Sequence, residues 1–509
     1  MVYRNLICDA VFNLPKHSII LNQDNKTLTV EKLQNDSLNL ALYLSKKGVM
    51  KGDRVIILIR SGSEFLTILF ANLLLGCLIA LIDPEMGKEN FISKLKQFNP
   101  TYTFIDSRLY FLNEHPILKF LMLNILKRVP NILTHATSQI FTIGPRLPIL
   151  KLHHHLSLKI DLEIPDYNRL SNSDPDIECM VVYTSGTLDK PKGVMHSYNS
   201  LNASINLLKD QLLINRDQSL CTHLPHFMLI GIIAGVHVHI WNYNMLPQKK
   251  LEFISFHSIT TLFGPPSDFL PLLEYCSKVN RIFPSCLKNI YLGSAPIYKS
   301  FLSRIMPYLR NCEVHCLYGM TEHLFISIIS GKDKLLSTTS IDIVGKPFAN
   351  VEVRILENDE ISILSPQLFK RYLHEDSRHG YFNTGDLGRL DENEQLSLFG
   401  RRKNMIIRSN FNIYPGLYEP TINSIPNVKN AVMLGIYNEA KSDEMVYLVI
   451  ESDKQLSKSN IFNALTQGPF SIDKQAIPDE ILFMKIPLFG RQNKVNKKVL
   501  IQHIQEIEK

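Results

Sequence analysis

The sequence predicts an α/β fold in more than one domain, and three observations support this prediction. Segments with apolar residues at helical spacing alternate with short apolar runs typical of buried strands. The first group is a helical segment over 37–47, a turn over 48–53 and a buried strand over 54–59. Such alternation is typical of a largely parallel sheet with helices on both faces. The chain has 509 residues, well beyond one hydrophobic core, and its 45% hydrophobic and 20% charged residues are ordinary for a globular protein.

The alternation continues along the chain. In order, the sequence predicts a strand over 101–106, the end of a buried strand at 180–182, a helix over 197–213, a strand and loop over 220–227, an apolar helix over 229–235, and strands over 261–266, 287–296 and 312–318. Residues 134–172 are less regular, and we interpret the histidine triplet at 153–155 as part of a solvated loop.

Net charge and cysteine usage restrict the class of protein. The charge of +7 and the pI near 8.8 suit a polyanionic small molecule, an acidic partner or a membrane surface. The basic residues form no stripe interleaved with aromatic residues, so no nucleic-acid partner is predicted. The eight cysteines are predicted to be reduced, and the Cys312–Cys316 pair lacks the further ligands of a metal site. Reduced thiols and the absence of a secretory start predict a cytoplasmic protein.

Two apolar segments resemble membrane elements. A polar residue and a glycine interrupt the segment 66–82, which is short for a span and is predicted to be a buried helix running into a buried strand. The segment 116–133 places three basic residues among leucines. It is predicted either to lie on a membrane as a basic amphipathic helix or to cover a hydrophobic substrate pocket. Both alternatives stay open.

The stretch from Tyr183 to Gly193 combines hydroxyl residues, a glycine, two lysines and a proline directly after a predicted strand. A strand running into residues 184–187 makes a tight loop with free backbone N–H groups and hydroxyls, which suits phosphate oxygens. Lys190 and Lys192 add positive charge at the same place. A polar surface turn is the alternative, because the same residue types are common in turns. The stretch alone leaves both interpretations open.

The motifs that follow, taken together, resemble those of the adenylate-forming superfamily, which includes acyl-CoA synthetases, peptide-synthetase adenylation domains and luciferases. In the family's order, the similar stretches are 184–193 (phosphate loop), 293–296 (adenine wall), 318–322, 381–388 (ribose binding), 400–415 (hinge and first loop of a small domain) and the region of Lys494. The similarity runs from about residue 29 to residue 500, and the order of the six motifs makes it far more specific than any one of them.

The resemblance implies ATP, Mg²⁺ and CoA as cofactors, and it implies a role for particular residues. The implied ATP-binding residues are Thr184, Ser185, Gly186, Thr187, Lys192, Gly293, Ser294, Ala295, Pro296, Tyr318, Gly319, Asp386 and Arg401. By the same resemblance, Tyr318 stacks on adenine and Asp386 accepts both ribose hydroxyls. Thr184 and Glu322 are the implied Mg²⁺ ligands.

The implied catalytic residues are Thr321, Glu322 and Lys494. Thr321 contacts the α-phosphate, and Lys494 bridges that phosphate and the substrate carboxylate. Considered singly, each has an ordinary alternative. Glu322 could be an acid at a helix N-terminus, Asp386 could shape a turn, and Lys494 could be a solvated lysine.

The resemblance also implies a fold and a conformational change. It implies a large N-terminal domain of mostly parallel sheets flanked by helices over 1–402 and a small, mobile α+β domain over 403–509. The small domain turns about a hinge at Lys403, presenting Lys494 in one pose and the loop at 407–415 in the other. A hinge needs only a few residues that absorb the backbone change.

The apolar segment at Phe227, Met228 and Gly231 is the predicted substrate gate. Glycine there lets a chain-like ligand or another backbone approach closely, and a flexible methionine suits a hydrophobic acyl chain. The predicted substrate is therefore a small-molecule hydrophobic carboxylic acid, with a medium- or long-chain fatty acid preferred.

The sequence departs from the family pattern at several positions. Leu188 and Asp189 replace a Thr-Gly pair in the phosphate loop, and an aspartate beside a triphosphate is electrostatically unfavourable. Ser294 replaces a glycine, with a mild effect expected. Asn410 and Asn493 replace glycines in the acceptor loop and before Lys494.

Three functions are consistent with these patterns. The first is an ATP-dependent ligase that forms an acyl-adenylate and then a CoA thioester. The second is the same adenylation with a different acceptor, either an acyl carrier protein or an internal hydroxyl that closes a β-lactone; Asn410 motivates it. The third is a non-catalytic relative that binds only nucleotide or lipid, motivated by Leu188 and Asp189.

Overall fold

The structure is a computed structural model, and part of the chain is described. The described residues are 1–23, 26–82, 88–114, 138–145, 155–156, 158, 162–184, 191–211, 217–222, 224–241, 245–338, 341–408, 411–439, 441, 443–452, 454–489 and 494–507.

The strands and helices follow each other in the predicted alternation through the first half of the chain. The strands are β1 (Ile19–Gln23), β2 (Lys26–Thr29), β3 (Arg54–Leu58), β4 (Leu78–Leu81), β5 (Tyr102–Asp106), β6 (Gln139–Ile143), β7 (Glu178–Tyr183), β8 (Gly193–Ser197), β9 (Ser219–Cys221), β10 (His237–His239), β11 (Thr261–Gly264), β12 (Asn289–Leu292), β13 (Glu313–Met320), β14 (His323–Ser330), β15 (Asp342–Pro347), β16 (Glu352–Ile355), β17 (Glu360–Leu364), β18 (Arg371–Tyr372), β19 (Phe382–Leu390), β20 (Leu396–Arg401), β21 (Ile406–Arg408), β22 (Phe411–Ile413), β23 (Val428–Asn438), β24 (Asp443–Ser452), β25 (Glu480–Phe483), β26 (Leu488–Phe489) and β27 (Lys494–Val495). The helices are α1 (Leu6–Phe12), α2 (Val30–Lys46), α3 (Ser63–Leu75), α4 (Lys88–Phe98), α5 (Ser107–Glu114), α6 (Tyr198–Gln211), α7 (Pro225–Ile233), α8 (Pro247–Phe256), α9 (Pro266–Val279), α10 (Lys299–Ile305), α11 (Gly331–Leu336), α12 (Pro415–Ile422), α13 (Lys458–Thr466) and α14 (Lys497–Ile507).

The chain forms two compact units. Unit 1 consists of Met1–Phe263, Thr321–Leu324 and Pro366–His379, and unit 2 consists of Gly264–Met320, Phe325–Ser365 and Gly380–Lys509. This division does not follow the predicted boundary between residues 402 and 403. Two short segments from the second half of the chain belong to unit 1.

A sheet with strand order β18-β8-β7-β4-β3-β5-β6 forms the centre of unit 1. The strands from β7 to β6 in this order pair in parallel, whereas β8 and β18 at the other edge pair antiparallel. A second group of strands pairs β9 with β10 and β10 with β1 in parallel, and β2 adds an antiparallel edge. The predicted α/β fold with largely parallel sheets is therefore confirmed in this unit.

The apolar segment over 66–82 is part of the core of unit 1. Helix α3 is buried along almost its whole length, and β4 follows it into the sheet. Gly76 ends the helix in the left-handed region, at φ 71°, where a glycine avoids the steric cost of a side chain. The predicted buried helix and strand are confirmed. No helix among the described residues is long and apolar enough to cross a membrane, and the segment 116–133 lies outside them.

Unit 2 differs from the predicted mostly parallel arrangement. Strands β12 and β13 pair in parallel, but the pairs β14–β15, β15–β20, β20–β19, β19–β17 and β17–β16 are antiparallel. The reason lies in the connections. Residues 356–359 and 391–395 are the links from β16 to β17 and from β19 to β20, whereas a parallel crossover needs about a dozen residues or more.

The C-terminal part of unit 2 has cores of its own. Its sheet pairs β23 with β24 antiparallel and β24 with β25 in parallel. One face of the sheet belongs to a buried cluster that includes Ile406, Met433 and Ile481, and the other to a cluster that includes Tyr447, Leu500 and Ile504. Both clusters draw all their members from residues 406–504. The α+β character is confirmed, and the boundary after residue 402 stays a prediction that these separate cores favour.

Candidate functional site

The predicted phosphate loop is closed at its base by a hairpin of antiparallel strands. Tyr183 at the end of β7 is paired with Gly193 at the start of β8. The Thr184 N–H donates to the Lys192 carbonyl at 3.0 Å, and the Lys192 N–H donates to Thr184 Oγ1 at 3.1 Å. The two ends of the predicted loop are therefore held together by strand pairing and side-chain hydrogen bonding. The predictions for Ser185, Gly186, Thr187, Leu188 and Asp189 concern positions outside the described residues.

Gly193 has a packing reason to be glycine. A Cβ at this position would lie 3.0 Å from Leu373 Cβ and 3.1 Å from Val181 Cγ1. The missing side chain lets β18 approach β8, and the Leu373 N–H donates to the Gly193 carbonyl at 2.7 Å. The segment 371–373 is thereby brought to the base of the loop.

Lys192 is directed toward this segment. Its Nζ lies 4.4 Å from the centre of the Tyr372 ring and 3.8 Å from Glu375 Oε1. The Lys192 side chain is about half exposed. A cation over an aromatic face is held by the ring quadrupole without being neutralised. The ammonium group of Lys192 is therefore held at the base of the predicted phosphate loop by an aromatic ring and by a half-exposed ion pair.

Glu322 is a buried carboxylate in the same unit. It lies in the short turn between β13 and β14 and is only 6% exposed. Its Oε1 accepts a hydrogen bond from the Tyr372 hydroxyl at 2.8 Å, and its carbonyl accepts one from the Phe369 N–H at 3.0 Å. Within the described part of the chain, no lysine or arginine forms an ion pair with it. A buried, oriented carboxylate of this kind has the donor chemistry that Mg²⁺ favours.

Two buried histidines flank the Thr321–Glu322 turn, and sequence reasoning missed both. The His196 ring donates from Nε2 to the Thr321 carbonyl at 3.0 Å. Burial lowers the pKa of His196 to about 4, and it lowers the pKa of His323 to about 4 as well. Both rings are therefore neutral near pH 7, and neither adds positive charge beside Glu322.

In unit 2, the structure brings together three residues that the resemblance linked. The Tyr318 hydroxyl donates to Asp386 Oδ2 at 2.7 Å, and Arg401 Nε lies 2.8 Å from Asp386 Oδ1. Burial, followed by the Asp386 charge, raises the pKa of Tyr318 well above its usual value. The hydroxyl therefore stays protonated and acts as a donor. Asp386 is 4% exposed and has its negative charge balanced by Arg401.

A second buried carboxylate, Glu360, supports this group, and no sequence motif pointed to it. Glu360 Oε1 accepts from the Gly385 N–H at 3.1 Å, and its Oε2 lies 3.0 Å from Arg402 Nη1. Gly385 has φ 74°, in the left-handed region that favours glycine. The irregular backbone of β19 just before Asp386 is therefore stabilised by its own glycine and by Glu360. Arg402 directly precedes the predicted hinge residue Lys403, which lies in the short turn after β20.

The predicted adenine-wall residues Gly293, Ser294, Ala295 and Pro296 follow β12 in a loop. The Gly293 N–H donates to the Gly264 carbonyl at 3.3 Å. Ser294 has φ 66°, where a side chain costs about 1 kcal/mol or more. The replacement of glycine at this position is therefore less mild for the backbone than expected from the sequence. The contact of this loop and of Gly319 with a nucleotide stays a prediction.

Lys494 begins β27 and is paired with Phe489 of β26. It therefore lies in a β-hairpin. Residues 490–493, including Asn493, and the acceptor-loop residue Asn410 lie outside the described residues. The catalytic role of Lys494 stays a prediction.

The predicted gate residues lie on helix α7. Phe227 and Met228 are 6% and 1% exposed, and the Phe227 ring stacks on Phe263. A Cβ on Gly231 would lie 2.7 Å from Leu220 Cδ2 and 2.8 Å from Val238 Cγ2. Gly231 therefore lets the helix lie close to β9 and β10. This packing accounts for the glycine without a ligand, and contact of all three residues with substrate stays a prediction.

The donor set favours a magnesium ion that is bound mainly by substrate oxygens. Across the described ranges, no cluster of three or more histidine, cysteine, aspartate or glutamate side chains is arranged to hold a metal ion. Mg²⁺ usually takes one or two carboxylates and completes its shell with phosphates and water. Glu322 fits this arrangement, and the metal contact of Thr184 at the loop base stays a prediction.

Comparison with known proteins agrees with the fold and the motifs. The family described as AMP-binding enzyme matches residues 9–373. The chain belongs to the AMP-binding enzyme family, and the predicted resemblance to the adenylate-forming superfamily is confirmed. The predicted class, an AMP-forming ligase similar to acyl-CoA synthetases, is confirmed as well.

Named relatives cover most of the chain. It is 26% identical to 2-succinylbenzoate–CoA ligase of Bacillus velezensis over 450 residues, which is 83% of each protein. It is 25% identical to the putative acyl–CoA ligase YdaB of Bacillus subtilis over 504 residues, or 93% of each.

Solved structures show the same fold. The structure of o-succinylbenzoate CoA synthetase from Bacillus subtilis with its acyl-adenylate intermediate matches with a TM-score of 0.78 at 21% identity, covering 98% of both chains. ATP-bound MatB from Rhodopseudomonas palustris matches with a TM-score of 0.79 at 20% identity, covering 99% of this chain and 100% of that one. The synthetase has also been solved with ATP and a magnesium ion.

Proposed function

We propose that this chain joins a hydrophobic carboxylic acid to coenzyme A in two steps, with ATP and Mg²⁺ as cofactors of the first. The observation that carries the proposal is the buried Glu322 carboxylate, held by Tyr372 beside Lys192 in the same unit as the phosphate loop. Relatives named CoA ligases and the solved ATP–magnesium complex support the choice of cofactors.

The chemistry follows from the weakness of a carboxylate as an electrophile. In the first step a carboxylate oxygen attacks the α-phosphorus of ATP, the bond from that phosphorus to pyrophosphate breaks, and an acyl-adenylate forms. In the second step the CoA thiol attacks the acyl carbon, AMP leaves with the bonding electrons, and the thiol proton passes to solvent. The protein's task is to place two anions together and to offset their charge.

The residues of this chain divide that task. Lys192 offers its ammonium group to the phosphates, and Glu322 provides the oxygen ligand for the ion of Mg·ATP. That ion neutralises charge that accumulates on the leaving pyrophosphate. Asp386, with its charge already balanced, offers lone pairs to the ribose hydroxyls. Lys494 supplies the positive charge between the carboxylate and the α-phosphate.

For the acid, we propose an aryl-substituted acid of the 2-succinylbenzoate type as the first candidate. The relatives with that name support it. They do not support the predicted placement in fatty acid metabolism. The buried apolar pair Phe227 and Met228 keeps a medium- or long-chain fatty acid as the second candidate.

A screen of acids tests the proposal. Pyrophosphate release is measured with 2-succinylbenzoate and with fatty acids of increasing chain length, with and without CoA, and thioesters are detected by mass spectrometry. We expect acid-dependent release and a CoA thioester. Release without any thioester would favour the carrier-protein or β-lactone alternative. No release with any acid would favour the non-catalytic alternative, and Lys494→Ala serves as the catalytic control.

A further inference from the structure

Tyr372 has a position that is fixed from several sides. It forms β18 with Arg371, and the two residues pair with Val194 and Met195 of β8. The Arg371 guanidinium binds both oxygens of Glu178 on β7, at 2.6 and 2.8 Å. Paired, bidentate contacts of this kind fix geometry as well as adding energy. The ring of Tyr372 therefore has a set place at the base of the phosphate loop.

From this place Tyr372 contacts two of the predicted site residues. Its hydroxyl donates to Glu322 Oε1 at 2.8 Å, and its ring face receives Lys192 Nζ at 4.4 Å from the ring centre. Glu322 is separated from Tyr372 by fifty positions in the sequence, and Lys192 by far more. One side chain thus links an anion and a cation that come from different parts of the chain.

The two contacts of Tyr372 act on groups of opposite charge. A hydrogen bond from a hydroxyl favours the ionised carboxylate and fixes the plane of its oxygens. The ring holds the ammonium group by its quadrupole without adding a negative charge of its own. Among the described residues, the one carboxylate paired with Lys192 is Glu375 at 3.8 Å, which is half exposed to water, and this exposure weakens the pair. If Lys192 paired with Glu322 instead, each would cancel the charge that the other offers to Mg·ATP. The tyrosine keeps the two charges close but separate.

We propose that Tyr372 is a positioning residue for the first half-reaction, orienting Glu322 toward the metal of Mg·ATP and seating Lys192 beside the phosphates. This inference rests on the proposed function, in which Glu322 meets the metal. The hydroxyl and the ring carry separate parts of the role. Two substitutions of the same residue can therefore separate them.

Tyr372→Phe removes only the hydroxyl, whereas Tyr372→Leu removes the ring as well. For Tyr372→Phe we expect the half-saturating Mg²⁺ concentration to rise about 5-fold, with kcat at saturating Mg²⁺ changed less than about 2-fold, because one hydrogen bond to a charged group is lost. For Tyr372→Leu we expect the same rise and, in addition, a KM for ATP about 3-fold higher, because Lys192 loses its seat. The affinity for Mn²⁺ in the presence of a non-hydrolysable ATP analogue, measured by electron paramagnetic resonance, should weaken in parallel.

Tyr167→Phe is the matched control. Tyr167 is a buried tyrosine of unit 1, and its hydroxyl, like that of the partly buried Tyr372, donates to a carboxylate, Asp9 Oδ1, at 2.6 Å. It should leave the Mg²⁺ dependence and the Mn²⁺ affinity unchanged. In a Glu322→Gln background, Tyr372→Phe should change the Mn²⁺ affinity by less than about a further 1.5-fold. The effects of two residues that act through one contact are not additive.

The outcomes separate the inference from the proposed function. Unchanged Mn²⁺ affinity in Tyr372→Phe, or an effect equal to that of Tyr167→Phe, overturns the role of Tyr372. A full additional effect in the Glu322→Gln background also overturns it, because Tyr372 would then act elsewhere. Absence of adenylation by the parent protein with every acid overturns the proposed function, while the Mn²⁺ measurement still decides the inference.

Discussion

Two buried carboxylates of this protein each accept a hydrogen bond from a tyrosine, but the neighbouring cation contacts the tyrosine ring in one case and the carboxylate in the other. In unit 1, Tyr372 donates to Glu322, and the neighbouring lysine lies on the tyrosine ring. In unit 2, a tyrosine donates to Asp386, and Arg401 binds the carboxylate itself at 2.8 Å. Among the described residues, the first arrangement places no lysine or arginine against the carboxylate, whereas the second places a guanidinium there.

This difference indicates different partners. A carboxylate already paired with a guanidinium is a weak ligand for a second cation but remains a good acceptor for neutral hydroxyls. A carboxylate held only by a hydroxyl pays for its burial by binding a cation such as Mg²⁺. We therefore expect Glu322 to act through metal binding and Asp386 through nucleotide binding.

The largest expected effect comes from Glu322→Gln. This change keeps the shape of the side chain and removes its charge, so adenylation should fall about 100- to 1,000-fold at saturating ATP, as for loss of a group that offsets transition-state charge. The rate of adenylation is measured by pyrophosphate release in discontinuous assays. A decrease in the adenylation rate of less than about 3-fold would show that Glu322 does not bind the metal.

A second prediction concerns the stability of the folded protein at acidic pH. His196 has a pKa of about 4 in the folded protein because of burial, against 6.5 for an ordinary histidine. As the pH falls, the unfolded chain therefore binds this proton before the folded protein does. The free energy of unfolding is highest, as far as His196 is concerned, above pH 6.5, and it decreases as the pH falls from 6.5 toward 4. At pH 5 the loss amounts to about 2 kcal/mol in the free energy of unfolding.

The measurement is the urea midpoint between pH 8 and pH 5, compared between the parent and His196→Gln. The variant should show a shallower pH dependence, whereas substitution of the exposed His17 by glutamine should not change it. Other buried histidines, such as His239, titrate in both proteins, so only the difference reports on His196. If the urea midpoint depended on pH equally in the parent and in His196→Gln, His196 would take up its proton as easily in the folded state as in the unfolded one.

Asp386→Asn should act on the nucleotide. Because the ribose hydroxyls lose a charged acceptor, the KM for ATP should rise about 10-fold, with a smaller change in the Mg²⁺ dependence. Steady-state kinetics with ATP and Mg²⁺ varied independently separate the two effects. A dominant shift in the Mg²⁺ dependence would remove the distinction between the two carboxylates.

The smallest expected effect is that of Ser294→Gly. Ser294 has φ 66°, and glycine relieves the steric cost of that conformation but adds entropy to the unfolded chain. The net gain should be about 0.5 kcal/mol in the free energy of unfolding, measured by urea denaturation. A loss of stability would mean that the serine side chain makes a contact worth more than the strain.

The sequence allowed much of this site to be predicted, because several members lie in short motifs. Tyr318, Asp386 and Arg401 were each implied by resemblance as ATP-binding residues, and the structure places Tyr318 and Arg401 against Asp386, whereas their nucleotide contacts stay a prediction. Tyr372 and Glu360 were missed because their partners lie 25 or more positions away in the sequence, a distance over which no local pattern reveals a contact.

The fold shows the same limit. Helix and strand alternation predicted the parallel sheet of unit 1, where α3 and β4 occur as expected. The antiparallel strands from β14 to β20 were not predicted, because apolar alternation does not state the direction of the neighbouring strand. Gly231 was predicted to let another backbone or a chain-like ligand approach; the close approach of α7 to the neighbouring strands agrees with the first alternative, and the second stays a prediction.

The most direct test of the difference between the two carboxylates is the affinity of the protein for Mn²⁺ at saturating non-hydrolysable ATP analogue, measured by electron paramagnetic resonance. The account predicts that Glu322→Gln weakens Mn²⁺ binding about 10-fold or more, while Asp386→Asn changes it less than about 2-fold. Equal weakening by the two substitutions, or unchanged Mn²⁺ binding in Glu322→Gln, would contradict it.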